Sequence, residues 1–342
     1  MSAGLKVLAP GLHTTVQDLG RPGHQAIGVP VSGALDGFSL RLANALAGNL
    51  PGTPVLEVLI SGPTFEVVAD TVRVALVGVG ANLAIDTSWV MAAGQSATLS
   101  RGAVINVVVG RQSACCYLAV EGGVAVPLIL GSASTYVRAA IGGLDGRVLR
   151  RGDFVPLAAG GASERTEFRL PSPLSPTGDQ PIRVVLGPQQ EYFTEEAVAA
   201  LLNAEFRISQ NADRMGMRLD GPFLRHRCGW NIISDPIATG AIQVPGSGQP
   251  ILLLADHQTT GGYPKIATVV SADLAVVARR RPGDPLRFTA VAIETAEALC
   301  RAAERQFLEL TARLEPIPDH PEVDLGSLYD GNLISGVVSG LD

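Results

Sequence analysis

Short runs of Val, Ile, Leu and Ala recur along the chain, each cut off by Gly, Pro, Ser or Asp, with gaps too short to hold crossover helices. This pattern predicts antiparallel strands over 55–60, 64–68, 72–77, 97–100, 104–109 and 117–120 in the first half. In the second half it predicts strands over 182–186, 241–244, 251–255 and 266–270. A mainly β protein follows, built as barrels or sandwiches. Helical spacing is confined to three places. Over 36–47, Asp36 is a suitable N-cap, Phe38, Leu42, Ala43 and Leu46 share one face, and Gly48-Asn49 stops the helix. Thr194 opens a second helix with Glu195 and Glu196 in its first turn. From 293 to 314, Ile293, Ala296, Leu299, Cys300, Phe307, Leu310 and Leu314 mark the apolar stripe of a third.

Between 158 and 181 the apolar pattern gives way to Gly, Ser and Pro, which marks a boundary between two units, 1–165 and 180–314. Ser61-Gly62-Pro63 in the first unit matches Asp220-Gly221-Pro222 in the second. Arg151-Gly152-Asp153-Phe154 likewise matches Pro282-Gly283-Asp284-Pro285. Duplication and coincidence both account for matches this short. A tail over 315–342 carries Pro316, Pro318 and Pro321 and ends on Leu333, Ile334, Val337 and Val338, for which docking and a loose terminus are both open.

Composition narrows the function. With 342 residues, 46% hydrophobic and 17% charged, there is material for two cores. The net charge is −6 and the 26 basic residues are scattered, so a nucleic-acid partner is not expected. No apolar run reaches the roughly 18 residues of a membrane span, and the start lacks the features of a leader, so neither a membrane nor export is expected and the cytoplasm is the expected location. Only Lys6 and Lys265 are lysines. Neither follows a glycine, which rules out a phosphate-cradling P-loop, and neither adjoins a methionine as a biotin-attachment lysine conventionally does. Cys115, Cys116, Cys228 and Cys300 form no C-x-x-C, and His13, His24, His226, His257 and His320 show no paired ligand spacing, so no metal is expected.

Three polar segments could carry chemistry. The densest is Asp256-His257-Gln258-Thr259-Thr260-Gly261-Gly262-Tyr263-Pro264-Lys265, framed by two apolar strands. It supplies acid–base groups, neutral hydrogen-bonding groups and a cation, and the paired glycines allow close backbone approach. A hairpin satisfying its own turn is the plain alternative. Near the start, Gln17, Asp18 and Arg21 suit an amide or a carboxylate, or equally a local ion pair. Asp213 and Arg214 form a third cluster that an ordinary ion-paired loop also explains.

Taken with Gly240-Ala241-Ile242-Gln243-Val244-Pro245, these segments contain TTVQDLGR, SGALD, DRMGMRL, GAIQVPGSGQP and DHQTTGGYPK. In this combination the chain resembles the KipA-like family, also called allophanate hydrolase subunit 2 or the A and B parts of biotin-dependent carboxyltransferases, from about Val7 to Leu299. The resemblance implies two tandem cyclophilin-like β-barrels working with a separate KipI-like B-type subunit. One branch comprises the C subunits of ATP-dependent 5-oxoprolinases, which open the lactam of 5-oxoproline to glutamate together with a PxpA-type subunit. The absence of a biotin-attachment lysine and of a fused ATP-grasp module favours that branch. A second branch transfers a carboxyl group from carboxybiotin, supplied on another chain, to urea or a related amide. Some relatives instead antagonise a KipI-type inhibitor of a kinase without turnover. Carried over by position, Asp256, His257, Thr259, Thr260, Tyr263 and Lys265 are expected as catalytic residues. Gln258, Gly261, Gly262, Gln243, Asp213, Arg214, Gln17, Asp18 and Arg21 are expected to bind substrate. In this scheme Lys265 and a threonine hydroxyl polarise the substrate carbonyl, while His257 or Asp256 handles a proton.

Overall fold

The computed structural model describes residues 3–86, 89–175 and 178–318. His320, Pro321 and the apolar ending around Leu333, Ile334, Val337 and Val338 lie outside the described residues. Among the described residues the chain is mostly β-sheet with four α-helices. The ten runs expected as strands all form, with ends shifted by a residue or two.

In the first half, Gly4–Ala9 pairs with Phe154–Pro156 and Thr64–Val67, in a six-stranded sheet that continues through Val104–Val108 and Asn82–Ile85 to Trp89–Ala92. The corner at Pro10-Gly11 sends the next strand, His13–Gln17, into a second sheet beside Val55–Leu59, Cys115–Val120, Thr71–Val77 and Gln95–Ser100. Leu5, Phe65, Leu83 and Ile105 of one sheet meet Leu56, Val74, Leu76 and Leu118 of the other in a single core. The second sheet is covered on its other face by helix α1, Gly37–Ala47, which lays Leu40, Leu42, Ala43 and Leu46 against Val55, Ala75, Val77 and Tyr117. The cap expected for this helix forms: Asp36 Oδ1 accepts the Ser39 N–H at 2.9 Å. Burial on both faces explains why Cys115–Val120 reads as a continuous apolar run instead of an alternation. It also pushes the Cys116 thiol up to about 12, leaving it unreactive.

The second half is built on one eight-stranded sheet, with a separate two-stranded ribbon of Asp235–Pro236 and Thr260–Gly261. In order the sheet holds Pro285–Leu286, Phe206–Ala212, Gly216–Asp220, Ile251–Leu253, Ala241–Gln243, Lys265–Val269, Ile182–Leu186 and Phe288–Ala290. Its two edge strands are separated in sequence by Arg287 alone, so the sheet curls round and nearly closes. Val184, Phe206, Leu219, Ile242, Leu252, Ile266 and Phe288 fill the interior. Of the two tandem barrels expected, the structure therefore shows one. The first half departs from that expectation because the Pro10-Gly11 corner changes sheets instead of extending one ladder, leaving two sheets face to face.

The short matches between the halves have a structural counterpart. Asp153 Oδ2 accepts the Arg150 N–H at 2.7 Å, and Asp284 Oδ2 accepts the Arg281 N–H at 2.8 Å. The glycines before these aspartates, both at positive φ, donate N–H to Val7 O at 2.8 Å and to Ile208 O at 2.7 Å. Each half thus closes on the same turn clamped to a core strand.

Helix α2, Glu195–Asn203, starts at Thr194 as expected, while α3, Leu274–Ala278, is too short to leave a periodic signal. Helix α4, Ile293–Ala312, returns to the first half. Its Phe307 packs edge-on against Phe38 at 6.3 Å, Arg41 pairs with Glu304 at 2.6 Å, and Glu315–Pro316 adds to the sheet at Phe168–Arg169. Further bonds join the halves: Arg279 to Asp36 at 2.7 Å, Arg281 to Ser113 O at 2.8 Å, and the Ser32 N–H to Ala255 O at 3.1 Å.

Candidate functional site

The polar segment 256–265 leaves the barrel after Ile251–Leu253 and re-enters it as Lys265–Val269, and its side chains divide among three environments. The first is the junction between the halves. Arg214, 3% exposed, lies between Asp256 and Glu57. It donates to Asp256 from Nε at 2.8 Å and Nη2 at 3.1 Å, to Gly33 O at 2.6 Å, and to Glu57 Oε1. Glu57 Oε2 accepts the Tyr117 hydroxyl at 2.7 Å and the Leu35 N–H at 2.8 Å. Burial alone would lower the Arg214 pKa, but attraction to Glu57 and Asp256 outweighs it and raises it, so the guanidinium stays charged. Both Asp256 oxygens are taken up by this pairing.

The second environment is the packed rim of the barrel. His257 is buried, with Nδ1 against Gln258 O at 2.6 Å and Nε2 against Thr239 Oγ1 at 3.2 Å, and burial lowers its pKa. Lys265 is 2% exposed, its Nζ 2.8 Å from Asp235 Oδ2, and Gln189 bonds both to the Lys265 N–H and to Asp235. Thr259 is buried, its carbonyl accepting the Ile237 N–H at 3.0 Å. Thr260 is exposed, in the short strand Thr260–Gly261 that pairs with Asp235–Pro236, and Gly262 O accepts the Ile232 N–H at 2.9 Å.

The third is a cavity of about 440 Å³, which brings together Asp213, Gln243, Gln258 and Tyr263 from the expected residues, along with Arg138 and Arg218. Two side-chain amides form its polar wall. Gln258 Nε2 donates to Gln243 Oε1 at 3.3 Å, and Gln243 Nε2 donates to Tyr263 O at 3.2 Å. Gln258 Oε1 is buried without a hydrogen-bond partner. Asp213 Oδ1 accepts the N–H groups of Met215 at 2.8 Å and Gly216 at 3.1 Å. Lys265, His257 and Asp256 do not line this cavity.

Gln17, Asp18 and Arg21 also lie elsewhere, pinning the strand His13–Gln17 and its exit to the loop 129–135. Gln17 Nε2 donates to Thr135 O at 3.1 Å, Asp18 Oδ1 accepts from Ser132 Oγ at 2.6 Å, and Arg21 Nε donates to Ile129 O at 3.3 Å. A larger cavity of about 670 Å³ opens between α1, α3 and α4, but two of its cations are already matched, Arg41 by Glu304 and Arg279 by Asp36. Among the described residues no group of three His, Cys, Asp or Glu could hold a metal ion, and no helix is long and apolar enough to cross a membrane.

The sequence reading missed Glu57, Arg138 and Arg218. A lone carboxylate inside the apolar strand Val55–Leu59 was the available signal for Glu57, because a charge buried there requires a cation. Arg218 alternates with the inward Met217 and Leu219, which places it on the outer face of its strand. No comparable signal pointed to Arg138.

Burial lowers the pKa of both His13 and His257. The unfolded chain therefore takes up protons on these rings first, and stability present above about pH 6.5 is expected to fall as the pH drops below it. Thermal melts at pH 8 and pH 5.5 should show a smaller acid-induced loss in His257→Gln than in the parent; an equal loss would remove His257 from the explanation.

A carboxyltransferase domain model, subdomain A and B, matches residues 27–290. The chain is 36% identical over 317 residues to the C subunit of 5-oxoprolinase from Escherichia coli (strain K12), covering 91% of this chain and 98% of that one. It is 31% identical over 316 residues to urea amidolyase of Saccharomyces cerevisiae, covering 86% of this chain but 17% of the yeast protein. The crystal structure of the K. lactis urea amidolyase superposes with a TM-score of 0.81 at 28% identity, covering 90% of this chain and 20% of that one. The match therefore corresponds to about a fifth of the K. lactis chain.

Proposed function

This chain belongs to the carboxyltransferase domain, subdomain A and B family, and from that premise we propose that it is the amide-handling subunit of a larger biotin-dependent carboxyltransferase. Its role is enzymatic. In this reading the 440 Å³ cavity holds a small planar amide whose nitrogen receives a carboxyl group carried in on another chain.

The observation that carries the reading is the Gln243–Gln258 pair with its unsatisfied acceptor. An amide ligand offers an N–H donor and a carbonyl acceptor side by side, the complement of a glutamine side chain. A buried acceptor left alone costs about 1–3 kcal/mol, which a ligand N–H would recover once Gln258 turns its oxygen to it. The pair orients the substrate through its own hydrogen bonds, and Tyr263, which lines the cavity, is braced from behind by a tilted contact with Trp230 at 6.1 Å.

The residues present fit a biotin ureido ring. When carboxylated, that flat cyclic urea would be held through its carboxylate by Arg138 or Arg218, beside the amide on the glutamines, and when bound it supplies the activated carboxyl group. ATP does not fit this chain. Lys6 is paired with Glu66 at 3.7 Å and Lys265 with Asp235 at 2.8 Å. The starts of the longer helices are acidic, with Asp36 capping α1, Glu195 and Glu196 in α2 and Glu294 in α4. Any ATP used by the complex belongs to a companion chain.

A second reading is favoured by a specific observation, the coverage of 98% of the E. coli 5-oxoprolinase C subunit. Under it the chain works with a KipI-like B-type subunit and a PxpA-type subunit to open a lactam. The division into two units, 1–165 and 180–314, remains our reading of the chain, and the shared turns at Asp153 and Asp284 support a common origin for them.

Reconstitution of the chain with its companion subunits tests both readings. Carboxyl transfer predicts that adding an amide accelerates the loss of carboxybiotin only when this chain is present. Lactam opening predicts ATP-dependent glutamate release from 5-oxoproline. Carboxybiotin decay indifferent to every amide would overturn the first reading. Gly261→Ala probes the amide pair directly. A Cβ there would meet Gln243 Nε2 at 2.7 Å and Ile237 Cδ1 at 2.8 Å, both ends of flexible side chains, so the fold should tolerate it while Gln243 shifts. Activity is expected to fall about tenfold or more with little change in melting temperature.

A further inference from the structure

We propose that Gln17, Asp18 and Arg21 are positioning residues, which hold the turn 136–141 rigid so that its Arg138 crosses the junction between the halves and reaches the 440 Å³ cavity, an inference that rests on the site reading above. None of the three lines that cavity; they act on the chain that leads to it. Asp18 Oδ1 accepts from Ser132 Oγ at 2.6 Å and from Ser134 Oγ, and its Oδ2 accepts the Ala133 N–H at 2.7 Å. The Asp18 N–H donates in turn to Ser134 Oγ at 3.1 Å. Arg21 donates to Ile129 O at 3.3 Å and to Ser134 O, and Gln17 donates to Thr135 O at 3.1 Å. All three side chains are buried, as are Ser132, Ser134 and Thr135. The segment 133–135 is thus gripped from one side by a single strand and its exit.

That grip passes to Arg138 over a few residues. Tyr136 and Ile141 exchange both backbone hydrogen bonds, at 2.8 and 3.2 Å, and so close the turn, with Ala140 inside it held at φ 51 in the left-handed region. The returning leg is pressed against the gripped one. The Gly143 N–H donates to Ala133 O at 2.8 Å, a Cβ on Gly142 would meet Ser134 O at 2.1 Å, and one on Gly143 would meet Thr135 Oγ1 at 1.9 Å. Both legs therefore rest on residues that Gln17, Asp18 and Arg21 bind. At the tip, Arg138 reaches Asp213 of the second half at 3.4 Å, but both side chains are more than half exposed, at 58% and 59%, so this contact is too weak to place the guanidinium. Its placement comes from the turn, and a turn already fixed spares the ordering of a loop each time the cavity is filled.

Kinetics of the reconstituted complex and limited trypsin digestion of the full chain test the proposal. Arg138→Gln should lower kcat/KM about tenfold, and Arg21→Met should do the same although Arg138 is still present. Because Arg21 acts through Arg138, Arg21→Met should cost less than about twofold once Arg138→Gln is in place. Arg21→Lys, which keeps a donor for the two carbonyls, should recover part of the activity. Trypsin reads the turn itself, since cleavage after Arg138 requires it to open: Arg21→Met and Asp18→Asn should each speed that cut about tenfold or more over the parent. Asp18→Asn keeps its size and one acceptor oxygen, and it carries the kinetic test if Arg21→Met does not fold. An equal loss from Arg21→Met with and without Arg138→Gln, or cleavage after Arg138 as slow in the variants as in the parent, overturns the proposal. Gln243→Leu measured alongside keeps the two failures apart. If it lowers activity and Arg138→Gln does not, the cavity stands and the proposal falls; if neither lowers activity, the site reading falls with it.

Discussion

Arg214→Ala is expected to lower folding stability by about 3–5 kcal/mol, because it strands Glu57 and Asp256 as buried carboxylates without their cation. Glu57 is fully buried and Asp256 is 6% exposed, so water cannot replace the guanidinium without opening the junction. Since Glu57 belongs to the first half and Asp256 to the second, the loss should also loosen their coupling. A single unfolding transition in urea should shift to lower midpoint and separate into two. Removing the charges as well, in the triple variant Arg214→Met, Glu57→Gln, Asp256→Asn, should recover much of the stability. A loss below about 1 kcal/mol in Arg214→Ala would show that the triad is solvated and not a latch.

Gln243→Leu is expected to lower kcat/KM of the reconstituted enzyme on the order of 100-fold, the effect of removing one positioned hydrogen-bonding group from a developing charge. Leucine matches glutamine in size, so the cavity keeps its shape, and the stability cost should stay near about 1–2 kcal/mol for the hydrogen bonds removed at Gln258 and Tyr263. Gln258→Leu should act on the same step. Because the two amides are bonded to each other, the double variant should lose less than the sum of the single losses. Additive losses would mean that the glutamines serve separate ligands, and unchanged kinetics would move the site away from this wall.

Much of the architecture was written in local pattern. The alternation and punctuation that predict strands are consequences of half-buried sheets, and the caps at Asp36 and Thr194 are consequences of unpaired helix N–H groups, so both are visible one segment at a time. What escaped was set by closure in three dimensions. Whether a run of strands makes one curled sheet or two facing ones depends on where the chain turns between layers, and the Pro10-Gly11 corner looks like any other turn. The site was legible in part for the same reason. The composition of 256–265 marked it as polar and crowded, yet it could not say that Asp256 faces Arg214, that Lys265 faces Asp235, and that Gln258 and Tyr263 reach the cavity. Arg138 comes from the other half of the molecule, a neighbour that no spacing within the second half could announce.

The near-closure of the second sheet at Arg287 bears on how other chains can join this one. A ladder whose ends almost meet offers an incoming peptide no long row of free backbone groups, so a companion cannot extend it and has to bind by loops and faces. The six-stranded sheet differs: Trp89–Ala92 ends it with Trp89 and Val90 pointing into solvent, and recruitment by main-chain pairing is open at that margin.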